Sequence, residues 1–245
     1  MTSRLYSLLL TVAGFFATLT FGFAVPIACR PFYYLQISLL KLPETTGYRA
    51  ETIRGAYDEL MDYLLKGEPF STGALAWSPS GKAHFEDCLA LFHLDFAVLA
   101  VSLAVIVLLL LLNRLGRIRI HRFCGQSPFF YTGIFNILLF VLLGIWGTVS
   151  FDTLFVTFHK VFFPGKSNWI FDPDTDEIIR ILPEQFFLNC ALLILALILI
   201  ISILFIVQSV KSRKRQGGAR HLWTRSLWFF SCRTSNFPGG VSQPP

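Results

Sequence analysis

The chain has 245 residues, of which 54% are hydrophobic and 16% aromatic but only 15% charged. A water-soluble domain carries about 25% charged residues, so this balance excludes a soluble globular protein and indicates one embedded in a membrane. The net charge of +6 does not point to nucleic acid, because the basic residues are sorted to one side of the apolar runs and suit anionic lipid.

Four apolar runs, 5–28, 94–112, 129–150 and 188–208, are long enough to cross roughly 30 Å of hydrocarbon as helices of about 20 residues. The first carries Gly14 and Gly22, which let neighbouring helices approach closely. Its apolar stretch is too long for a signal peptide, so it reads as an uncleaved span. Arg30-Pro31 ends it, and Phe32, Tyr33 and Tyr34 form an interfacial belt. Residues 51–66 then predict a helix, because Ile53, Ala56, Tyr57, Leu60, Tyr63 and Leu64 recur at spacings of three and four before a stop at Gly67. Such a helix reads as a structural cap.

Ser78-Pro79 starts another helix, serine capping and proline sitting in the first turn. It runs unbroken into the second span and places His84, Asp87, Cys88 and Leu91 on one face. His93, nine residues beyond His84, points nearly the opposite way. Asp95 stands at the edge of the span, where it snorkels or finds a partner. The third span offers only Asn136 as a strongly polar side chain and the fourth only Asn189. With no ionisable residue deep in any span, ion-coupled transport is disfavoured.

Arg4, then Arg114, Arg117, Arg119 and Arg122, then Lys211, Arg213, Lys214 and Arg215 flank one side with no acid among them. All fifteen acidic residues fall in 29–93 and 151–187 or, like Asp95, at the edge of a span. The positive-inside bias therefore puts both termini and the loop 113–128 in the cytoplasm and the two polar segments outside. The expected fold is an all-α membrane protein: four transmembrane helices within residues 1–210, an extracytoplasmic cap made of 29–93 and 151–187, and a basic cytoplasmic tail, 211–245, that is disordered or lies on the membrane surface.

Residues 155–187, FVTFHKVFFPGKSNWIFDPDTDEIIRILPEQFF, carry the strongest signal. His159 is embedded among Phe155, Phe158, Phe162 and Phe163, followed by a Pro-Gly break, Trp169 and an acidic run. The run opens like a calcium loop, but its sixth position is Glu177 rather than glycine and its twelfth Pro183 rather than glutamate. Its acids are expected to cap a helix starting near Asp176. The five cysteines show no CxxC spacing, so neither a zinc site nor a disulfide framework is expected, and no metal or cofactor is called for. One histidine on each polar segment suits proton transfer near neutral pH. Cys88, one turn from His84, also invites a Cys–His nucleophile reading, which lacks a third orienting group.

The FxxFHxxFF, Trp and FDPDTDEIIRILPEQFF pattern, together with the HxxD of His84–Asp87, resembles the lipoprotein intramolecular transacylase family of bacterial membrane proteins. The resemblance covers roughly residues 1–210. It implies an acyltransferase of the bacterial cell membrane that moves an acyl chain within one diacylglyceryl lipoprotein. The free amine of the lipidated N-terminal cysteine attacks the sn-2 ester, giving an N-acylated lyso product. It implies His84 and His159 as the catalytic pair, with His159 assigned as base and His84 as acid or oxyanion donor, in an order that remains reversible. Asp87 is the expected orienting partner of His84; Asp152, Trp169 and Asp172 are further supporting residues. Phe155, Phe158, Phe162 and Phe163 form the expected substrate wall. The partners implied are diacylglyceryl lipoproteins and membrane lipids, with a monomeric enzyme. The alternative is a non-catalytic scaffold or lipid-binding protein using the same aromatic surface.

Overall fold

The computed structural model describes residues 2–231, with side chains over 3–214. These residues form helices and no strand. Four helices are long and apolar enough to cross a membrane: α1 (Thr2–Ala28), α5 (Pro79–Arg114), α6 (Pro128–Val149) and α9 (Glu184–Ser231). Their outer surfaces expose Leu108, Leu111, Phe135, Leu142, Ile203 and Leu204. Apolar area on this scale is stable only against lipid. The protein is therefore multi-pass, as its composition requires.

Helix α1 packs on α5, α6 and α9, while α6 also packs on α9. The two glycines singled out in α1 face these partners. A Cβ at Gly14 would stand 2.9 Å from Thr132 Oγ1, and one at Gly22 would stand 2.9 Å from Ile198 Cγ1, so a larger residue at either place would wedge the bundle apart. At the end carrying the basic loop, the His121 N–H donates to the Ser7 hydroxyl at 2.7 Å and Arg122 donates to Ser212 at 2.9 Å. The loop between α5 and α6 is thereby tied to α1 and α9.

The opposite end carries a packed cap. After a break at Cys29 the chain forms α2 (Arg30–Leu39), α3 (Leu42–Thr46) and α4 (Ala50–Lys66). The apolar stripe of α4 is buried as expected, with Ile53, Ala56, Tyr57, Leu60 and Leu64 in the core; only Tyr63 lies at its margin. Gly67 ends the helix at φ +71°, a left-handed conformation that suits glycine. Tyr33 stacks on Tyr57 with ring centroids 3.7 Å apart and donates its hydroxyl to the Ile181 carbonyl at 2.8 Å. Ile181 belongs to the single turn α8 (Ile178–Ile181), so the two polar segments share one core. Arg30 adds ion pairs to Asp58 and Asp62 of α4.

Two elements differ from expectation. The polar segment after the third span, for which no helix was expected before Asp176, opens with a twelve-residue helix, α7 (Phe151–Phe162). Ser150 adopts an extended conformation, caps α7 and accepts from the Thr153 N–H at 3.3 Å; no breaker follows until Pro164-Gly165. The fourth long helix begins at Glu184 and runs on to Ser231, past the expected end at 208. Of the tail, residues 232–245 lie outside the described residues.

Candidate active site

The site begins with how α5 starts. Ser78 is its N-cap and accepts from the Gly81 N–H at 3.0 Å, with Pro79 in the first turn. A second acceptor reaches this end from far along the chain. The buried Asp176 carboxylate accepts from the Ser78 N–H and the Ser78 hydroxyl, both at 2.8 Å. A carboxylate against a helix N-terminus meets unpaired N–H groups and the positive end of the helix dipole. Gly81 must lack a side chain here, because a Cβ would overlap the Asp176 carboxylate. The acid therefore caps α5, 98 residues away, and not a helix of its own. Beside it Glu177 accepts from the Ala76 N–H at 2.8 Å, and the Glu177 N–H donates to the Ala76 carbonyl at 3.0 Å. These bonds hold 76–81 and 176–177 together and so fix where His84 stands.

The other histidine is positioned by α7. His159 Nδ1 lies 2.8 Å from the Phe155 carbonyl one turn earlier. A carbonyl only accepts, so Nδ1 carries the proton and the lone pair resides on Nε2. The ring stacks on Trp169 at 4.7 Å between centroids and touches Phe155 at 4.2 Å, Phe158 at 5.4 Å and Phe163 at 5.8 Å.

These two segments bring His84 and His159 together, with ring centroids 5.9 Å apart and the planes tilted by 37°. Both are buried, at 5% and 8% exposure. Phe163 and Phe171 meet the His84 ring edge-on at 5.0 and 5.5 Å. Burial, reinforced by the neighbouring His159, pushes His84 down to about 4. Burial also lowers His159, against the opposing effect of its bond to Phe155. Desolvation disfavours the charged imidazolium, so both rings are neutral near pH 7.

The expected orienting partner of His84 turns elsewhere. Asp87 accepts from Lys166 and, at 3.1 Å, from Asn168. Burial tends to raise its carboxyl, but these two donors outweigh that and hold it below the usual carboxylate range. An ion pair this exposed contributes about 0–1 kcal/mol, so its effect is to pin the 164–169 turn across the site. The partner of His84 is Cys88, whose Sγ lies 3.4 Å from Nε2. Burial pushes that thiol up to about 12, leaving it protonated and a poor nucleophile. His84 Nδ1 and Asn168 Oδ1 are buried and without a partner.

Of the other residues singled out in the sequence, Phe155, Phe158, Phe163 and Trp169 join this cleft. Phe162 stacks on Phe158 at 4.6 Å and is half exposed. Asp152 sits exposed in the first turn of α7. Asp172 is exposed and accepts from the Asp174 N–H at 3.0 Å, closing a turn. Neither acid meets the histidines. His93 lies away from the cleft and pairs with the Leu64 carbonyl at 3.2 Å, tying α5 to the end of α4. Phe171, Lys166, Asn168 and Asp176 were not recognised as site residues from the sequence, because each takes its meaning from a partner some 80–100 residues away. No cluster able to hold a metal ion occurs among the described residues.

Comparison with known proteins identifies the family and the fold. The profile described as "Lipoprotein intramolecular transacylase Lit" matches residues 8–187. The in meso structure of the membrane integral lipoprotein intramolecular transacylase Lit from Bacillus cereus superposes with a TM-score of 0.78 at 25% identity, over 88% of this chain and 98% of that one. Two further structures of that protein, each with one histidine replaced, by arginine or by alanine, give TM-scores of 0.72 and 0.71 at 24% identity. They cover 89% and 87% of this chain and 95% and 96% of theirs. A search of curated proteins returns no match. With the family profile spanning most of the chain and the fold shared almost end to end, the chain belongs to the lipoprotein intramolecular transacylase family of membrane-integral transferases.

Proposed function

We propose that this protein moves an acyl chain from the sn-2 ester of a diacylglyceryl lipoprotein to the α-amino group of the same molecule's N-terminal cysteine, using His159 and His84. The observation that carries this reading is the pair of buried, neutral, adjacent imidazoles in an aromatic cleft. The amine enters unprotonated and attacks the ester carbonyl, forming the N–C bond. His159 Nε2 takes the proton lost from nitrogen and returns it to the glycerol oxygen as the C–O bond breaks. The net change is an amide and a free hydroxyl, with every proton accounted for and no acyl-enzyme.

His84 has a different task. A protonated thiol is a donor, so Cys88 S–H donates to Nε2 and leaves the proton of the neutral ring on Nδ1. That buried N–H, without a partner in the protein, is suited to the tetrahedral oxyanion. A ring held neutral stays an N–H donor without competing for the amine's proton. Asn168 Oδ1, likewise buried without a partner and on the residue before Trp169, is the matching acceptor for an amine N–H.

Few groups are needed because the nucleophile is tethered to its target; such proximity supplies about 7–11 kcal/mol of barrier reduction. The phenylalanines exclude the water that would otherwise hydrolyse the ester. The basic end is cytoplasmic by the positive-inside bias, which puts the histidine cleft on the outer face of the cell membrane. The test uses two lipoproteins carrying isotopically distinct acyl chains, incubated together with the enzyme. Each lyso product should retain only its own label, and His84→Ala and His159→Ala should each reduce turnover at least 100-fold, the lower range for general acid–base groups. Crossed products would overturn the intramolecular route, and full turnover in a folded His159→Ala protein would remove the histidine mechanism.

A further inference from the structure

A second concavity lies on the cap away from the histidines and shares no residue with their cleft. Its volume is about 630 Å³, and its walls include Leu39, Lys41, Thr45, Thr46, Arg180 and Pro183. Its height is set by the chain. Helix α2 starts two residues after α1 ends, and Pro183 immediately precedes α9, so the cavity opens at the rim of the apolar region. On the adjoining face of α2, Leu35 and Leu39 stand one turn apart and are 57% and 62% exposed. Two bare leucines in succession at this level offer a surface suited to an acyl chain.

The polar side of the cavity is cationic and lightly committed. Lys41 makes no ion pair among the described residues. It also holds a left-handed backbone at φ +51°, a conformation uncommon for residues other than glycine, asparagine and aspartate. Arg180 donates Nε to the Pro173 carbonyl and Nη2 to Asp174, both at 2.9 Å. Asp174 is 87% exposed, and a pair so wet holds the guanidinium weakly. The threonine hydroxyls are turned back onto backbone carbonyls of residues 41 and 42. Recognition therefore falls to two positive charges above an apolar floor, which suits an anion carried on a hydrocarbon chain and not a neutral glycan.

We infer that this cavity binds the phosphodiester of an anionic phospholipid, with Lys41 and Arg180 on the phosphate and an acyl chain along Leu39 and Leu35. The site is separate from the reaction described above, and it would dock the cap onto the membrane surface beside the cleft. The probes are dioctanoyl phosphatidylglycerol, dioctanoyl phosphatidylcholine and inorganic phosphate, titrated onto the full-length protein and read as bound copies by native mass spectrometry. Lys41→Asn removes the charge with a residue that tolerates the left-handed backbone, so loss of binding will not reflect a lost fold. Arg180→Gln is the second variant, accepted once its helicity matches the parent.

Phosphatidylglycerol should bind more tightly than phosphatidylcholine. Each variant should lose about fivefold of that preference, the effect of one interfacial cation. Equal binding of the two lipids would overturn the inference. So would a preference that survives both substitutions, which would assign it to the basic end of the bundle. Displacement of the lipid by millimolar phosphate would show a free-anion site and refute the lipid assignment.

Discussion

Asp176→Ala is the perturbation that separates a positioned histidine pair, proposed above as catalytic, from a loose one. The carboxylate is 4% exposed, accepts from the Ser78 N–H and hydroxyl at 2.8 Å, and accepts from the Thr175 hydroxyl at 3.2 Å. Alanine would strand a buried N–H at the α5 terminus, each stranded donor costing about 1–3 kcal/mol, and would weaken the cap by about 1 kcal/mol more. A total near 3 kcal/mol exceeds what the first turn of a helix retains by itself, so residues 78–83 should fray. His84 begins the next turn, and a displacement near 1 Å in a catalytic group costs on the order of 100-fold in rate. The assay measures lyso-lipoprotein formation by mass spectrometry of the N-terminal peptide, alongside thermal unfolding in detergent. The expected outcome is a rate loss on the order of 100-fold in a protein that still purifies as a helical species. Gly81→Ala should reproduce it, because its Cβ would displace the same carboxylate. Parental rate and melting temperature in Asp176→Ala would refute the coupling between this cap and the histidines.

Three further outcomes follow from the geometry. Cys88→Ala should keep activity within about fivefold of the parent, because a thiol–imidazole bond contributes about 1 kcal/mol; a fatty acid trapped on Cys88 would contradict this. Selective labelling of histidine should show the His84 ring neutral down to about pH 4, against an ordinary value of 6.5. The unfolded chain then takes up a proton between pH 6.5 and 4 that the folded chain refuses. Stability should be full above pH 6.5 and fall through that window by about 3 kcal/mol, and a His84 titrating near 6.5 would remove the basis for this. Ala74→Cys and Asp174→Cys should react with an impermeant thiol reagent from outside intact cells, while Arg117→Cys should not; the reverse pattern would invert the membrane orientation.

The four spans were legible because burial in lipid requires unbroken apolar length, which composition reveals directly. Helix α4 was legible because its apolar residues repeat at the spacing of a helix face. The family resemblance rested on the Phe and His pattern of 155–163, Trp169, the 171–187 run and the HxxD of His84–Asp87; of these, 155–162 lie in α7. Asp87 was assigned to His84 because residues three apart share a helix face. In the folded protein Lys166, 79 positions away, brings a formal charge that a neutral imidazole lacks, and the carboxylate turns to it. The task of Asp176 was hidden for the same reason: spacing along the chain says nothing about a helix end contributed 98 residues earlier.

Helix α5 runs without interruption from Pro79 to Arg114, with the cap at one end and the basic loop at the other. His84 is therefore geared to the transmembrane segment below it. One residue inserted between 85 and 93 would turn the imidazole by about 100° and lift it by about 1.5 Å, swinging it off His159. Four inserted residues would nearly restore its direction, at the cost of raising it about 6 Å. The count of residues in this stretch therefore matters independently of their side chains, and a change of its length would uncouple His84 from His159 even with every side-chain partner kept.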